Sequence, residues 1–147
     1  MKIVYQGSPG AYSHLAAKKI YPEYEFIPYN TFEDCFKHCN ENEEHKTIIP
    51  VENSIAGRVA DIQYLINKYK LQIYAEHFQE IKHNLMILKD NNLKNIKSVR
   101  SHSQAISQCQ KLINSYKFEP IIAADTAGSA KYISEKKIKN EAAIASE

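Results

Sequence analysis

The chain has 147 residues, enough for one domain or for two small lobes. Nineteen basic residues against seventeen acidic ones leave a net charge of +2, and Arg58 and Arg100 are the only arginines, which argues against a nucleic-acid-binding arm and against an acidic disordered tail. Hydrophobic residues make up 44% of the chain, so a packed core is expected, yet no apolar run nears the roughly 20 residues of a membrane helix. The chain opens on a strand-like Ile3-Val4-Tyr5 rather than on a secretory pattern. A cytoplasmic location follows as the expectation, with Cys35, Cys39 and Cys109 as reduced thiols.

Short apolar runs alternate with helical stripes along the chain. Residues 3–5 read as a strand, and Tyr12, Leu15, Ala16 and Ile20 mark the face of a first helix. A second strand covers residues 24–28. Thr31 starts the next helix, with Asp34 placed as in a capping box. Phe32, Cys35, Phe36 and Cys39 then follow the i, i+3, i+4, i+7 rule. This makes the two cysteines part of a buried helix face rather than a metal site shared with His38 and His45. Residues 47–51 read as a strand, and Val59, Ile62, Leu65, Ile66 and Tyr69 as a helical stripe. Residues 71–81 form an extended stretch, with residues 74–83 the crossing between two lobes.

A second series follows, with strands at residues 83–88, 97–100, 120–123 and 142–145. Its helices are marked by Ala105, Ile106, Cys109, Leu112, Ile113 and Tyr116, and by residues 127–136. The alternation predicts an α/β architecture of mixed, mostly parallel sheets with helices on both faces, divided into residues 1–80 and 81–147.

Four strand-to-helix turns carry small polar residues: Gln6 to Ser13, Pro50 to Ser54 with Ala56-Gly57-Arg58, Ser101 to Gln104, and Asp125 to Ser129. In an open α/β sheet such turns lie at the carboxyl ends of strands, where ligands bind. Each is expected to begin a helix, whose N–H groups attract anions. Capping alone accounts for any one of them. Four together, two in each half, point to a small acid held in a cleft between lobes. Gln104 and Gln108, four apart on a helix, face the same side. Glu52 reads as a cap and His102 as a turn residue, and neither supports a mechanism alone. No GxGxxG, GK[ST], HExxH or GxSxG pattern occurs, so neither cofactor nor metal chemistry is indicated.

These motifs resemble the prephenate dehydratase family. Gly7-Ser8-Pro9-Gly10-Ala11-Tyr12-Ser13-His14-Leu15-Ala16 is similar to its first signature, and Thr31-Phe32-Glu33-Asp34 to a helix start. The stretch Pro50-Val51-Glu52-Asn53-Ser54-Ile55-Ala56-Gly57-Arg58-Val59-Ala60-Asp61 resembles its most specific motif. Ser101-His102-Ser103-Gln104-Ala105 with Gln108-Cys109 resembles the third signature, where Ser103 replaces the usual proline. Asp125-Thr126-Ala127-Gly128-Ser129-Ala130 resembles the fourth.

The resemblance implies a two-lobed fold like the type II periplasmic binding proteins, with the active site between the lobes. It implies decarboxylating dehydration of prephenate to phenylpyruvate in phenylalanine biosynthesis, without a cofactor, by a homo-oligomer, commonly a dimer. Substrate-binding roles carry over to Asn53, Ser101 and Gln108, with Ser8, Ser54, Gln104, Thr126 and Ala127 lining the site. The family's catalytic Thr-Arg-Phe motif lies downstream of the 142–146 segment and is not among residues 1–147. Neither are the return crossing and the ACT regulatory domain. The expectation for these residues alone is therefore a fragment of negligible activity. Arogenate dehydratase and a non-catalytic small-carboxylic-acid binding module of the same fold are the alternatives.

Overall fold

The computed structural model describes all 147 residues. They divide into two compact units, Met1–Glu80 and Ile81–Glu147.

The first unit is built on β1 (Lys2–Gln6), β2 (Glu25–Tyr29) and β3 (Lys46–Ile48), parallel and in the order β2-β1-β3. Ile3, Val4 and Tyr5 are all buried, as the central strand of a parallel sheet requires. Helices α1 (Tyr12–Ile20), α2 (Phe32–Glu41) and α3 (Ile62–Tyr69) complete the unit. The α2 start follows the sequence rule: the Thr31 hydroxyl oxygen accepts from Asp34 N–H at 3.1 Å and donates its own proton to Asp34 Oδ2 at 2.6 Å. On its buried face, Cys35 and Cys39 pack with Val4, while Phe36 meets Ile62 and Leu65 of α3. Burial pushes the two thiols up to about 12 and about 11, so they act as small apolar side chains. His38 of α2 links Tyr29 at the end of β2 to His45 just before β3, with 2.8 Å from Tyr29 Oη to His38 Nδ1 and 2.7 Å from His38 Nε2 to His45 Nδ1.

The second unit is a four-stranded sheet of β6 (Asn84–Met86), β7 (Ser98–Ser101), β8 (Glu119–Ile122) and β9 (Glu141–Ala145), in the order β6-β9-β7-β8. Strands β7, β8 and β9 are parallel, and β6 runs antiparallel to β9. Helices α4 (Ser103–Gln108), α5 (Gln110–Tyr116) and α6 (Thr126–Lys136) pack with it. Val99, Ala105, Ile106, Ile113, Phe118, Ala142 and Ile144 make one core. Arg100 Nε donates to Glu141 Oε2 at 2.9 Å, and its guanidinium lies 4.6 Å from the Tyr132 ring centre, so this charge in the sheet is paired.

Two expectations need correction. The polar stretch after residue 50 does not begin a helix. It forms a hairpin of β4 (Glu52–Asn53) and β5 (Gly57–Arg58), and α3 starts only at Ile62. The helix expected from Ala105 to Tyr116 is divided at Cys109, whose N–H is shared among the carbonyls of Ala105, Ile106 and Ser107. Residues 71–81, expected as an extended stretch, carry neither helix nor ladder partner, and Ile73, Tyr74 and Phe78 on it are exposed.

Candidate functional site

In the first unit the three parallel strands end at one sheet edge, so the turns after β1, β2 and β3 emerge together there. The β1–α1 turn bends at Gly7 (φ 108°) and Gly10 (φ 93°), conformations that favour glycine. Gly7 N–H donates to Tyr29 carbonyl oxygen at 2.9 Å, tying the turn to β2. Ala11, at the helix start, has no capping side chain. Instead the His14 imidazole reaches back, and its Nδ1 accepts from Gly10 N–H at 3.0 Å. The ring stacks on Tyr5 at 5.0 Å and meets the edge of Phe26 at 5.5 Å. Ser8, half-buried, is thus carried on a turn held by a neutral histidine.

This arrangement sets a pH dependence. Burial, and then the charge of Lys18, holds the His14 pKa below its ordinary value of 6.5. The unfolded chain therefore takes up the proton first. The contribution of His14 to stability is present above pH 6.5 and is lost as the pH falls below it, towards the folded-state pKa. His38 shifts in the same direction, through burial and then His45. The melting temperature is expected to fall between pH 7 and 5, with a shallower fall in His14→Asn; identical slopes for both proteins would remove His14 from this account.

The β4–β5 hairpin positions Asn53. Its Oδ1 accepts from Ile55 N–H at 2.9 Å and Ala56 N–H at 3.0 Å, closing the loop that exposes Ser54. The same side-chain chemistry caps a helix, but here Gly57 at φ 81° turns the chain into β5. A concavity of about 380 Å³ opens beside Gln6, Asn30, Thr31, Asp61 and Tyr64, at the ends of β1 and β2. Sequence reasoning did not single it out, although Asn30 and Thr31 directly follow a strand.

In the second unit the turns after β7 and β8 also share one sheet edge. Ser101 is fully buried, and its hydroxyl donates to the Ile144 carbonyl oxygen at 2.6 Å, tying β7 to β9. The proton of this hydroxyl is thus engaged inside the sheet. His102 starts α4, its Nδ1 accepting from Gln104 N–H at 3.3 Å. Gln104 is exposed, whereas Gln108 is half-buried and its Oε1 lies 2.9 Å from His83 Nε2. Nothing local in the sequence signals that pair, since its members lie 25 residues apart.

The α6 start has its own carboxylate. Asp125 Oδ1 accepts from Gly128 N–H at 2.5 Å, and Ser129 Oγ donates to the Asp125 carbonyl oxygen at 2.7 Å. Thr126 is half-buried and Ala127 buried in this first turn. A Cβ on Gly128 would stand 2.7 Å from Asp125 Oδ2, so the glycine makes room for the cap. Asp125→Ala is expected to cost about 0.5–2 kcal/mol in urea unfolding, as a lost helix cap does. An unchanged midpoint would show that the cap contributes nothing.

The prephenate dehydratase family model matches residues 3–147. The chain belongs to the prephenate dehydratase family. It is 33% identical over 144 residues to a bifunctional N-acyl-homoserine lactone acylase/prephenate dehydratase of Komagataeibacter europaeus, covering 98% of this chain and 51% of that protein. It is 33% identical over 146 residues to arogenate dehydratase 2 of Petunia hybrida, covering 99% of this chain and 37% of that protein. The chain thus spans about half the length, or less, of these curated relatives. Among solved structures, the prephenate dehydratase of Staphylococcus aureus superposes with a TM-score of 0.82 at 26% identity, over 100% of this chain and 55% of that one. GqqA, described as a novel type of quorum quenching acylase, superposes with a TM-score of 0.90 at 33% identity, over 99% and 54%. The fold is that of prephenate dehydratase domains, the periplasmic-binding-protein-like α/β fold.

Proposed function

We propose that the protein is a dehydratase that converts prephenate to phenylpyruvate, water and carbon dioxide, and that residues 1–147 supply substrate-binding groups for it. The observation that carries this reading is the family match across residues 3–147. The chemistry suits neutral donors. Loss of carbon dioxide and hydroxide from prephenate creates an aromatic ring, so the substrate carries its own driving force. The enzyme has to hold the pyruvyl carboxylate and assist the departing hydroxyl by hydrogen bonding. A strong cation on the ring carboxylate would stabilise the group that must leave. In the second unit, amides at Gln104 and Gln108 and the hydroxyl of Thr126 fit that need. In the first unit, Asn53, Ser54 and Ser8 offer the same type of group.

Arogenate, which differs from prephenate by an amino group, is the second reading, favoured by relatives of 33–35% identity that are named arogenate dehydratases. Calorimetric titration of the protein with prephenate and with arogenate, alongside assays of phenylpyruvate and phenylalanine formation, tests both. Saturable prephenate binding with phenylpyruvate release supports the first reading, and a clear preference for arogenate moves the assignment to the second. Binding without turnover leaves a carboxylic-acid binding module, and binding of neither acid overturns the assignment. A reducing cytoplasmic location, supported by the three free thiols, and a homodimer are part of the proposal; sedimentation equilibrium checks the dimer.

A further inference from the structure

We infer that His83 is a positioning residue that fixes the orientation of the Gln108 side-chain amide, so that Gln108 presents its N–H groups, and not its oxygen, to a carboxylate ligand. The inference rests on the reading of Gln108 as a substrate-binding group.

The fold brings His83 to the right edge of the sheet. Strands β7, β8 and β9 end where the polar turns emerge, but β6 runs the other way. Its first residue, Asn84, therefore pairs with Ala145, the last residue of β9. His83, one residue earlier, arrives at the carboxyl edge of the sheet. Gln108 is the last residue of α4, one turn beyond Gln104 on the same helix face. The two side chains meet at 2.9 Å, both half-buried.

The bond has a direction. A carboxamide oxygen only accepts, so the His83 Nε2 facing it carries the proton. With Oε1 held by the imidazole, the Gln108 NH2 group is turned to the opposite side. A carboxylate only accepts, so this is the amide end it needs, and the other end would repel it. An untethered glutamine would present either end and would lose more rotamer freedom on binding. The neutral Nε2–H tautomer and the imidazolium both donate through Nε2. The device therefore does not depend on the charge of His83, which separates it from a proton shuttle.

The test uses the full chain and prephenate as the probe. His83→Ala is expected to weaken prephenate binding about 3–10-fold. His83→Gln, which places a side-chain N–H donor near the position of Nε2, should recover most of that loss. In a Gln108→Ala background, His83→Ala should cause little further loss of binding, because its effect on the ligand runs through that amide. The side-chain amide resonances of Gln108 in 15N-labelled protein should shift in His83→Ala and return towards the wild-type position in His83→Gln. The inference is overturned if wild type binds prephenate and His83→Ala binds equally well. It is also overturned if His83→Ala weakens binding by the same factor with and without Gln108, or if His83→Gln rescues nothing at an unchanged melting temperature. Failure of wild type to bind prephenate is a different result: it removes the functional reading itself, and the role of His83 with it.

Discussion

Ile144→Ala is expected to lower the stability of the second unit by about 2–5 kcal/mol, the range for removing a buried isoleucine side chain and leaving a cavity. Ile144 is 1% exposed and sits in the core with Val99, Ile106 and Ile113. It lies on β9, which is paired on both sides, with Leu85 of β6 directly opposite Ile144. Its neighbours along the strand are Ala142, Ala143 and Ala145, too small to fill the space it would leave. The Ser101 hydroxyl bond to the Ile144 carbonyl further limits relaxation of the backbone. Ile144→Val removes a single methylene and should cost only about 0.5–1.5 kcal/mol. Urea unfolding of the three proteins, followed by circular dichroism, measures the series. A loss below about 1 kcal/mol for the alanine variant would mean that the strand can collapse into the gap.

Asn53 should show the largest single effect on ligand binding, and its two amide ends can be tested separately. Oδ1 is taken by the N–H groups of Ile55 and Ala56, so Nδ2 is the end left to meet a carboxylate. Asn53→Ala removes both functions and is expected to weaken prephenate binding by about 1–3 kcal/mol, the scale of a hydrogen bond to a charged group. Asn53→Asp keeps an oxygen for the loop but replaces the donor with a negative charge facing an anion. It should bind prephenate at least as poorly as the alanine variant while holding the hairpin better. Calorimetry gives the affinities, and amide exchange at Ile55 and Ala56 reports on the loop. Wild-type affinity in Asn53→Asp would place Asn53 outside the site and leave it a loop residue.

Most elements were legible because burial writes its period into the chain. The α2 stripe of Phe32, Cys35, Phe36 and Cys39 and the apolar β1 run are local patterns, and local patterns set local structure. The misreading after residue 50 has a physical cause. An asparagine oxygen accepting from the N–H groups two and three residues ahead serves a helix start and a tight loop alike, and the left-handed Gly57 decides between them. The burial of Ser101 was not legible for another reason. Its sequence neighbours are polar, but its burial is imposed by β9, some forty residues later. His14 and Gly10 lie four residues apart, so that contact was within reach of the sequence. The partnership of His83 with Gln108 was not, since it exists only because β6 runs against its neighbours.

The strand order of the second unit also has a consequence for how the protein is made. β9 is the last of the four strands to leave the ribosome, yet it lies between β6 and β7. About sixty residues separate Met86 from Ala145. At a synthesis rate of 5–20 residues per second, β6 waits roughly 3–12 s for the only strand it pairs with. During that interval β7 can pair only with β8, so it keeps one open edge. The sheet cannot grow outward strand by strand and has to close by insertion, with the loop-closure entropy of a long separation spent before any of its contacts form. Until β9 arrives, the nascent second unit carries unpaired strand edges of the kind that chaperones shield.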